Sequence, residues 1–151
     1  MFRGVSALNL DSKGRMAIPA KHRNCLSDCD EGQLILTVDD SSPCLLLYPL
    51  AEWEEIERRL IKLPSLNKQA RRLQRLLIGH ATECDMDGAG RILVTSPLRS
   101  FARLDKRVVL IGQGNKFEIW DEKTWQMSRD EWMSESDFDE PLSSDLESLS
   151  L

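Results

Sequence analysis

What this sequence lacks narrows it before any motif is read. No apolar run in its 151 residues approaches the roughly 18–20 needed to cross a bilayer, so no membrane partner is expected. The opening MFRGVSALNL has no continuous apolar stretch and no small-residue cleavage site, and it does not read as a secretory signal. Cysteines are few (Cys25, Cys29, Cys44 and Cys84), and without an export signal they are expected as reduced thiols in a cytoplasm. No nucleophile stands at a catalytic spacing from a base, and no glycine-rich phosphate loop precedes a helix. An enzyme therefore finds no support, and neither a cofactor nor a metal is expected.

What is present is ordinary soluble composition, with 41% apolar and 30% charged residues. The length suits one domain or two small fused ones, and a half of roughly 70 residues would be marginal alone. The net charge of −5 looks wrong for a nucleic-acid binder, but its distribution changes that. From Gln126 onward Arg129 stands alone against eight acids, a net −7 that leaves +2 for the rest. The first 25 residues set Arg3, Lys13, Arg15, Lys21 and Arg23 against Asp11 alone, a net +4. A basic N-terminal patch with an acidic tail is one reading; a solvated surface with a solubilising tail is the other.

The strongest organisational signal is an internal repeat. Asp11-Ser-Lys-Gly14-Arg15 recurs as Asp87-Gly-Ala-Gly90-Arg91, 76 residues on. Tyr48 with Trp53 recurs as Trp120 with Trp125, 72 residues on. Two landmarks in the same order, differing by four residues of loop, argue for duplication. Each copy reads the same way. A strand (2–10, 79–86) enters a turn where Gly14 or Gly90 supplies a positive φ. A short apolar strand follows (Met16–Ile18, Ile92–Thr95), then a proline and a short helix (Ala20–Leu26, Leu98–Arg103). Two further strands follow in each: Leu34–Val38 with Cys44–Tyr48, and Arg107–Ile111 with Lys116–Trp120 around the turn Gly112–Asn115. An amphipathic helix closes each copy, Ala51–Leu63 and Glu122–Trp132. The resulting division is a first repeat 1–63, an inter-repeat helix within 64–78, a second repeat 79–134 and an acidic, serine-rich tail 135–151 expected to be disordered. Leu66, Ala70, Leu73, Leu76 and Leu77 place the inter-repeat helix over Leu66–Ile78.

These residues resemble the MraZ family. The resemblance is carried by Phe2-Arg3-Gly4, the two motifs Asp11–Arg15 and Asp87–Arg91, the proline and helix after each, and the spacing of both copies. It covers the chain up to the acidic tail. The fold it implies is α+β and β-rich: two tandem AbrB-like swapped-hairpin repeats forming a pseudo-dimeric, β-barrel-like core with short flanking helices. The function it implies is a sequence-specific transcriptional regulator, cytoplasmic and nucleoid-associated. Such a protein represses its own operon and the division and cell-wall gene cluster by occluding the promoter. Its partners would be double-stranded DNA, at short direct repeats, and further copies of itself in a ring-shaped homo-oligomer. The alternative is a ring-forming interaction scaffold without sequence-specific DNA binding. Two departures stand out: Ala89 replaces the basic Lys13, and Thr95-Ser96 push the second proline two places later. The halves are therefore expected to contribute unequally.

Arg15 and Arg91 follow a glycine turn, from which a guanidinium can reach a guanine edge in the major groove. Asp11 and Asp87, four residues earlier, would orient the arginine or cap turn N–H groups; an Asp–Arg salt bridge is the plainer alternative. The resemblance favours DNA contact at Arg15 and says less of Arg91. Arg3, Lys13, Lys21 and Arg23 would anchor phosphates and set register. The competitors are weaker. Asp85–Ser96 imitates the start of a calcium loop but has Ala89 where the fifth position needs an oxygen ligand and Ser96 where the twelfth needs Glu. Cys25, Cys29 and His22 suggest zinc, yet the second copy has no equivalent. Trp53, Trp125 and Trp132 are expected in the core or in oligomer contacts, and Lys68, Arg71, Arg72 and Arg75 on a solvated helix face.

Overall fold

The computed structural model describes residues 1–135 and Leu149. Apart from that leucine, the tail expected to be disordered lies outside the described residues from 136 onward. The first repeat runs β1 (Phe2–Asn9), β2 (Arg15–Ala17), α1 (Ala20–Asp28), β3 (Gln33–Val38), β4 (Leu45–Pro49) and α2 (Leu50–Ile61). A connecting helix follows, α3 (Lys68–Leu73), extended by a π turn over Gln74–Ile78. The second repeat runs β5 (Thr82–Asp85), β6 (Arg91–Leu93), α4 (Ser96–Phe101), β7 (Arg107–Gly114), β8 (Phe117–Asp121) and α5 (Glu122–Ser134).

The repeats exchange strands. β1 pairs antiparallel with β7 of the other repeat, and β5 pairs antiparallel with β3. The registers match: Leu8 opposes Val108, and Cys84 opposes Leu34. The β3–β4 and β7–β8 hairpins then meet edge to edge through β4 and β8. The result is a six-stranded sheet ordered β1-β7-β8-β4-β3-β5. The expected barrel-like core is corrected here: β1 and β5 are the two ends of that order, and the sheet stays open. Closure would need those edges to meet; instead a ribbon and two helices cover the inner face.

That ribbon is β2 paired antiparallel with β6, one strand from each repeat. A two-stranded ribbon is marginal alone. It is held by what it buries: Met16 opposes Ile92, each 1% exposed, and the following Ile18 and Val94 are fully buried. They join Leu26 of α1, Leu98 of α4 and the inward residues of the sheet (Leu34, Leu36, Leu45, Leu47, Val108, Leu110, Phe117 and Ile119) in one core. The outer face has two smaller clusters. Ile35, Leu46 and Tyr48 pack on Trp53 and Leu60 of α2, with Leu73, Leu77 and Ile78 above. Val109, Ile111 and Trp120 pack with Cys44 and Trp125 of α5. The central strands are thus covered on both faces, which explains their unbroken apolar runs.

Several boundaries move, each for a local reason. The shifted second proline does not shift its helix: α1 and α4 begin at Ala20 and Ser96, 76 apart, and Pro97 sits inside the first turn where no N–H is needed. The connecting helix starts after Leu66, which is 94% exposed, because Asn67 caps it: Oδ1 accepts from the Gln69 and Ala70 N–H groups at 2.8 and 3.3 Å. Gly79 closes the π turn on Gln74, so the strand expected over 79–86 is confined to β5. The second hairpin turns one residue late, at Gly114-Asn115, with Gly114 at φ +82°.

Candidate nucleic-acid interface

The two Asp-x-x-Gly-Arg turns are superimposable in their hydrogen bonds. In the first, Asp11 Oδ1 accepts the backbone N–H groups of Lys13 and Arg15 at 2.9 Å each, and Oδ2 accepts Arg15 Nε at 2.9 Å. In the second, Asp87 Oδ1 accepts those of Ala89 and Arg91 at 2.9 and 2.8 Å, and Oδ2 accepts Arg91 Nε at 3.0 Å. Gly14 and Gly90, at φ +81° and +76°, return their N–H to the aspartate carbonyl. Each aspartate therefore caps its turn and also forms the ion pair with its arginine that was the plainer alternative. The backbone bond from the arginine, above all, holds both carboxyls below their ordinary range. Each ion pair uses Nε, and among the described residues the terminal nitrogens of Arg15 and Arg91 take no other partner.

The ribbon places these arginines together. β2 and β6 are cross-tied at both ends: the Ile18 N–H donates to Gly90 O and the Val94 N–H to Gly14 O, at 2.8 and 2.9 Å. Met16 and Ile92 point inward, so strand alternation turns Arg15, Ala17, Arg91 and Leu93 outward. Arg15 opposes Leu93 and Arg91 opposes Ala17, which leaves the arginines diagonal neighbours about 7–8 Å apart. Lys13 is exposed at the tip of the first turn; Ala89 takes its place in the second.

The other candidate anchors divide. Lys21 and Arg23 stand two apart on α1, about 200° around the helix, and serve different neighbours. Arg23 lies over the second turn, where a β-carbon on Gly90 would sit 2.4 Å from its Nε; that Nε donates to Ile18 O at 2.6 Å. Lys21 reaches β1 instead, its Nζ 3.0 Å from where a β-carbon of Gly4 would be, next to Arg3. Arg3 sits six residues before the end of β1, about 20 Å away by strand rise. Lys13, Arg15, Arg23 and Arg91 thus belong to the ribbon and its turns, and Arg3 and Lys21 to a separate flank.

The sequence reading passed over three residues here. Ala17 and Leu93, the latter 49% exposed, share the outer face with the arginines, and alternation from Met16 and Ile92 was the available signal. Arg99 on α4 lies over Gly14 as Arg23 lies over Gly90, and the 76-residue offset would have found it.

The remaining candidates fall elsewhere. His22 is buried between the Phe2 and Phe117 rings, with centroids at 5.9 and 4.9 Å. Cys25 is exposed one helical turn from Cys29. The metal-like grouping found among the described residues is Asp39, Cys44 and Glu118, with ligand atoms within 4.8 Å of one another. Cys44 donates to Asp39 Oδ2 at 3.7 Å, and Glu118 accepts the Trp120 indole N–H at 3.0 Å. Burial pushes the Cys44 thiol far up, away from the thiolate a metal would need. Trp53 is buried against Tyr48, while Trp120, Trp125 and the half-exposed Trp132 form an edge-on trio. Lys68, Arg71, Arg72 and Arg75 are exposed on α3 and its π turn, and Arg72 donates to Asp40 O at 2.9 Å.

Comparison with known proteins finds the same twofold repetition. The profile of a family described as MraZ protein, antitoxin-like, matches twice, over residues 1–76 and 77–147. A relative from Thioalkalivibrio sulfidiphilus named "Transcriptional regulator MraZ" is 61% identical over 151 residues, covering 100% of both chains. Proteins of the same name are 62% identical over 136 residues in Methylococcus capsulatus, covering 90% of this chain and 89% of that one, and 55% identical over 152 residues in Yersinia pestis, covering 100% of both. With both repeats matched and full-length relatives well above half identical, this chain belongs to the MraZ family.

Proposed function

We propose that this protein is a DNA-binding transcriptional regulator that reads its operator with the outer face of the β2–β6 ribbon. The observation that carries this is the placement of Arg15 and Arg91 on that face, aligned by Asp11 and Asp87, with their terminal nitrogens available. A two-stranded ribbon fits the major groove, where an arginine pairs bidentately with guanine O6 and N7. Ala17 and Leu93 lie between the arginines, suited to thymine methyl groups. Lys13 and Arg23 beside the turns, and Arg3 and Lys21 on the flank, anchor phosphates and fix register. Gly14 and Gly90 shape the turns that present the readers.

The relatives' names supply the level of function, transcription regulation. The finer reading is a repressor of its own operon and of the division and cell-wall gene cluster, acting by occlusion at short direct repeats. It would sit in the cytoplasm on the nucleoid. One ribbon makes few contacts, so binding in several linked copies raises the effective concentration at repeated sites. Self-association into a ring is supported by the exposed Met127, Trp132 and Met133 of α5.

The test is a titration of the protein against the DNA upstream of its own gene and against a scrambled duplex of equal length, at two salt concentrations. Tight, selective binding that weakens steeply with salt is the expected result. Equal, weak binding to both duplexes would overturn it and favour the ring-forming interaction scaffold.

A further inference from the structure

The first turn has a basic neighbour on α4. α4 of the second repeat carries Arg99 across Gly14: a β-carbon on that glycine would sit 2.9 Å from Arg99 Cζ and Nη1. Arg23 is its counterpart at the second turn, with one difference. Arg23 Nε is satisfied by Ile18 O, whereas Arg99 Nε is buried with no hydrogen-bond partner. A guanidinium N–H left so costs about as much as a lost hydrogen bond to a charged group, a cost that a water or an anion beside it would relieve.

Arg99 lies between two adjoining hollows of about 600 and 560 Å³. The first brings in Ser12 and Lys106; the second brings in Ser100 and Arg103. Arg103 is exposed and stands at φ +52°, the left-handed position after a helix where glycine is the usual residue. Among the described residues neither Arg99 nor Arg103 has an ion-pair partner. Two carboxylates line the hollows. Asp11 is already bound to Arg15, and Asp105 is exposed beside Lys106. The corresponding stretch after α1 is acidic instead, with Asp28 and Glu31.

We propose that Arg99 and Arg103 form a phosphodiester-binding site beside the first turn, so that one reading head is built from both repeats. Arg15 and Lys13 come from the first repeat, and the phosphate clamp comes from the second. This rests on the DNA-reading role of the ribbon. A phosphate oxygen entering either hollow would meet the Arg99 guanidinium, which lines both, and would be flanked by Arg103 in the second. Positional anchoring of this kind carries no sequence information.

The experiment measures affinity against salt for the full chain on the upstream duplex and on scrambled DNA, comparing wild type with Arg99→Gln, Arg99→Lys, Arg103→Gln and, as a control outside the hollows, Lys123→Gln. Arg99→Gln and Arg103→Gln should each weaken both duplexes alike and lower the log–log salt slope by about 0.9. The affinity lost between about 50 and about 200 mM salt then shrinks by about 3.5-fold per variant. Arg99→Lys should restore most of the slope, and Lys123→Gln should leave it unchanged. If Arg99→Gln does not fold, the Arg103→Gln slope decides. Wild-type slopes in both variants, with wild type itself binding steeply, would overturn the clamp and leave the ribbon reading intact. Wild type that binds neither duplex in a salt-dependent way would overturn the ribbon reading itself.

Discussion

The two repeats share a backbone plan and differ in what surrounds each turn. The first turn offers Lys13 at its tip and lies under α4, with Arg99, Arg103 and Lys106 nearby. The second has Ala89 at its tip and lies under α1, where Arg23 Nε is bonded to Ile18 O and the helix ends at Asp28, with Glu31 just beyond. The hydrogen bonds that shape the turns agree to within about 0.1 Å across the two copies. Duplication has therefore kept the device that aims each arginine and let the surrounding charge diverge. Geometry is shared because the ribbon is shared: neither strand can shift without moving its partner.

The largest effect should come from breaking that shared ribbon. Met16 and Ile92 oppose each other, each 1% exposed, and fill one layer of the core. Met16→Ala and Ile92→Ala should each cost about 2–5 kcal/mol of stability. The losses should be similar, and the double variant less than additive, because both open one cavity. Urea unfolding checks this. A full loss from one variant and almost none from the other would mean that the ribbon belongs energetically to one repeat.

Next in size is the split between the arginines. Arg15→Ala should cost about 1–3 kcal/mol of discrimination between the upstream and scrambled duplexes, with melting temperature and oligomeric state preserved. Arg91→Ala should cost less, since its turn lacks the lysine and the second-repeat clamp. Equal losses would show that the two turns read equivalently despite their surroundings. A fall in stability without loss of discrimination would assign Arg15 to its ion pair with Asp11 alone.

Much of this was legible in the chain because it is local. The Asp11–Arg15 and Asp87–Arg91 match located both turns, and the positive φ at Gly14 and Gly90 followed from what a tight turn demands. Pairing was harder. That β1 lies on β7 and β5 on β3 depends on contacts about 100 and about 50 residues apart, which no periodicity encodes. Whether such a sheet closes is a global property, and here β1 and β5 remain edges. Apolar spacing alone starts α3 at Leu66, whereas the Asn67 cap starts it at Lys68. Arg99 carries no local motif; only the 76-residue offset from Arg23 marks it.

A smaller effect separates the repeats by pH. His22 occupies in α1 the place of Leu98 in α4, 76 residues on. Burial against Phe2 and Phe117, with Lys21 adding charge, lowers its pKa below the ordinary 6.5. The unfolded chain then takes up the proton first. Stability should be complete above pH 6.5 and fall as the pH drops from there through the folded value. His22→Leu should remove that slope. Asp11 and Asp87, with lowered values, act below 3.8, and Asp39, raised by burial, acts in the opposite sense above it. Denaturant midpoints between about pH 7.5 and about pH 5.5, compared between wild type and His22→Leu, isolate the His22 contribution. An unchanged slope in His22→Leu would place the titration elsewhere.

The smallest expected effect tests whether the faces between the arginines differ in use. Leu93 opposes Arg15 and is 49% exposed, while Ala17 opposes Arg91 and offers a single methyl. If the longer side chain covers a thymine methyl, Leu93→Ala should lower affinity by up to about 1 kcal/mol, since little apolar area is involved. The loss should disappear on an operator in which the contacted thymine is replaced by uracil, because the methyl group is then gone from the DNA instead. Stability should hardly change, as Leu93 points away from the core that Ile92 fills. Equal losses on thymine and uracil duplexes would reduce Leu93 to a spacer that sets the height of Arg15 above the groove. The second repeat would then read bases through Arg91 alone, with Leu93 contributing only shape.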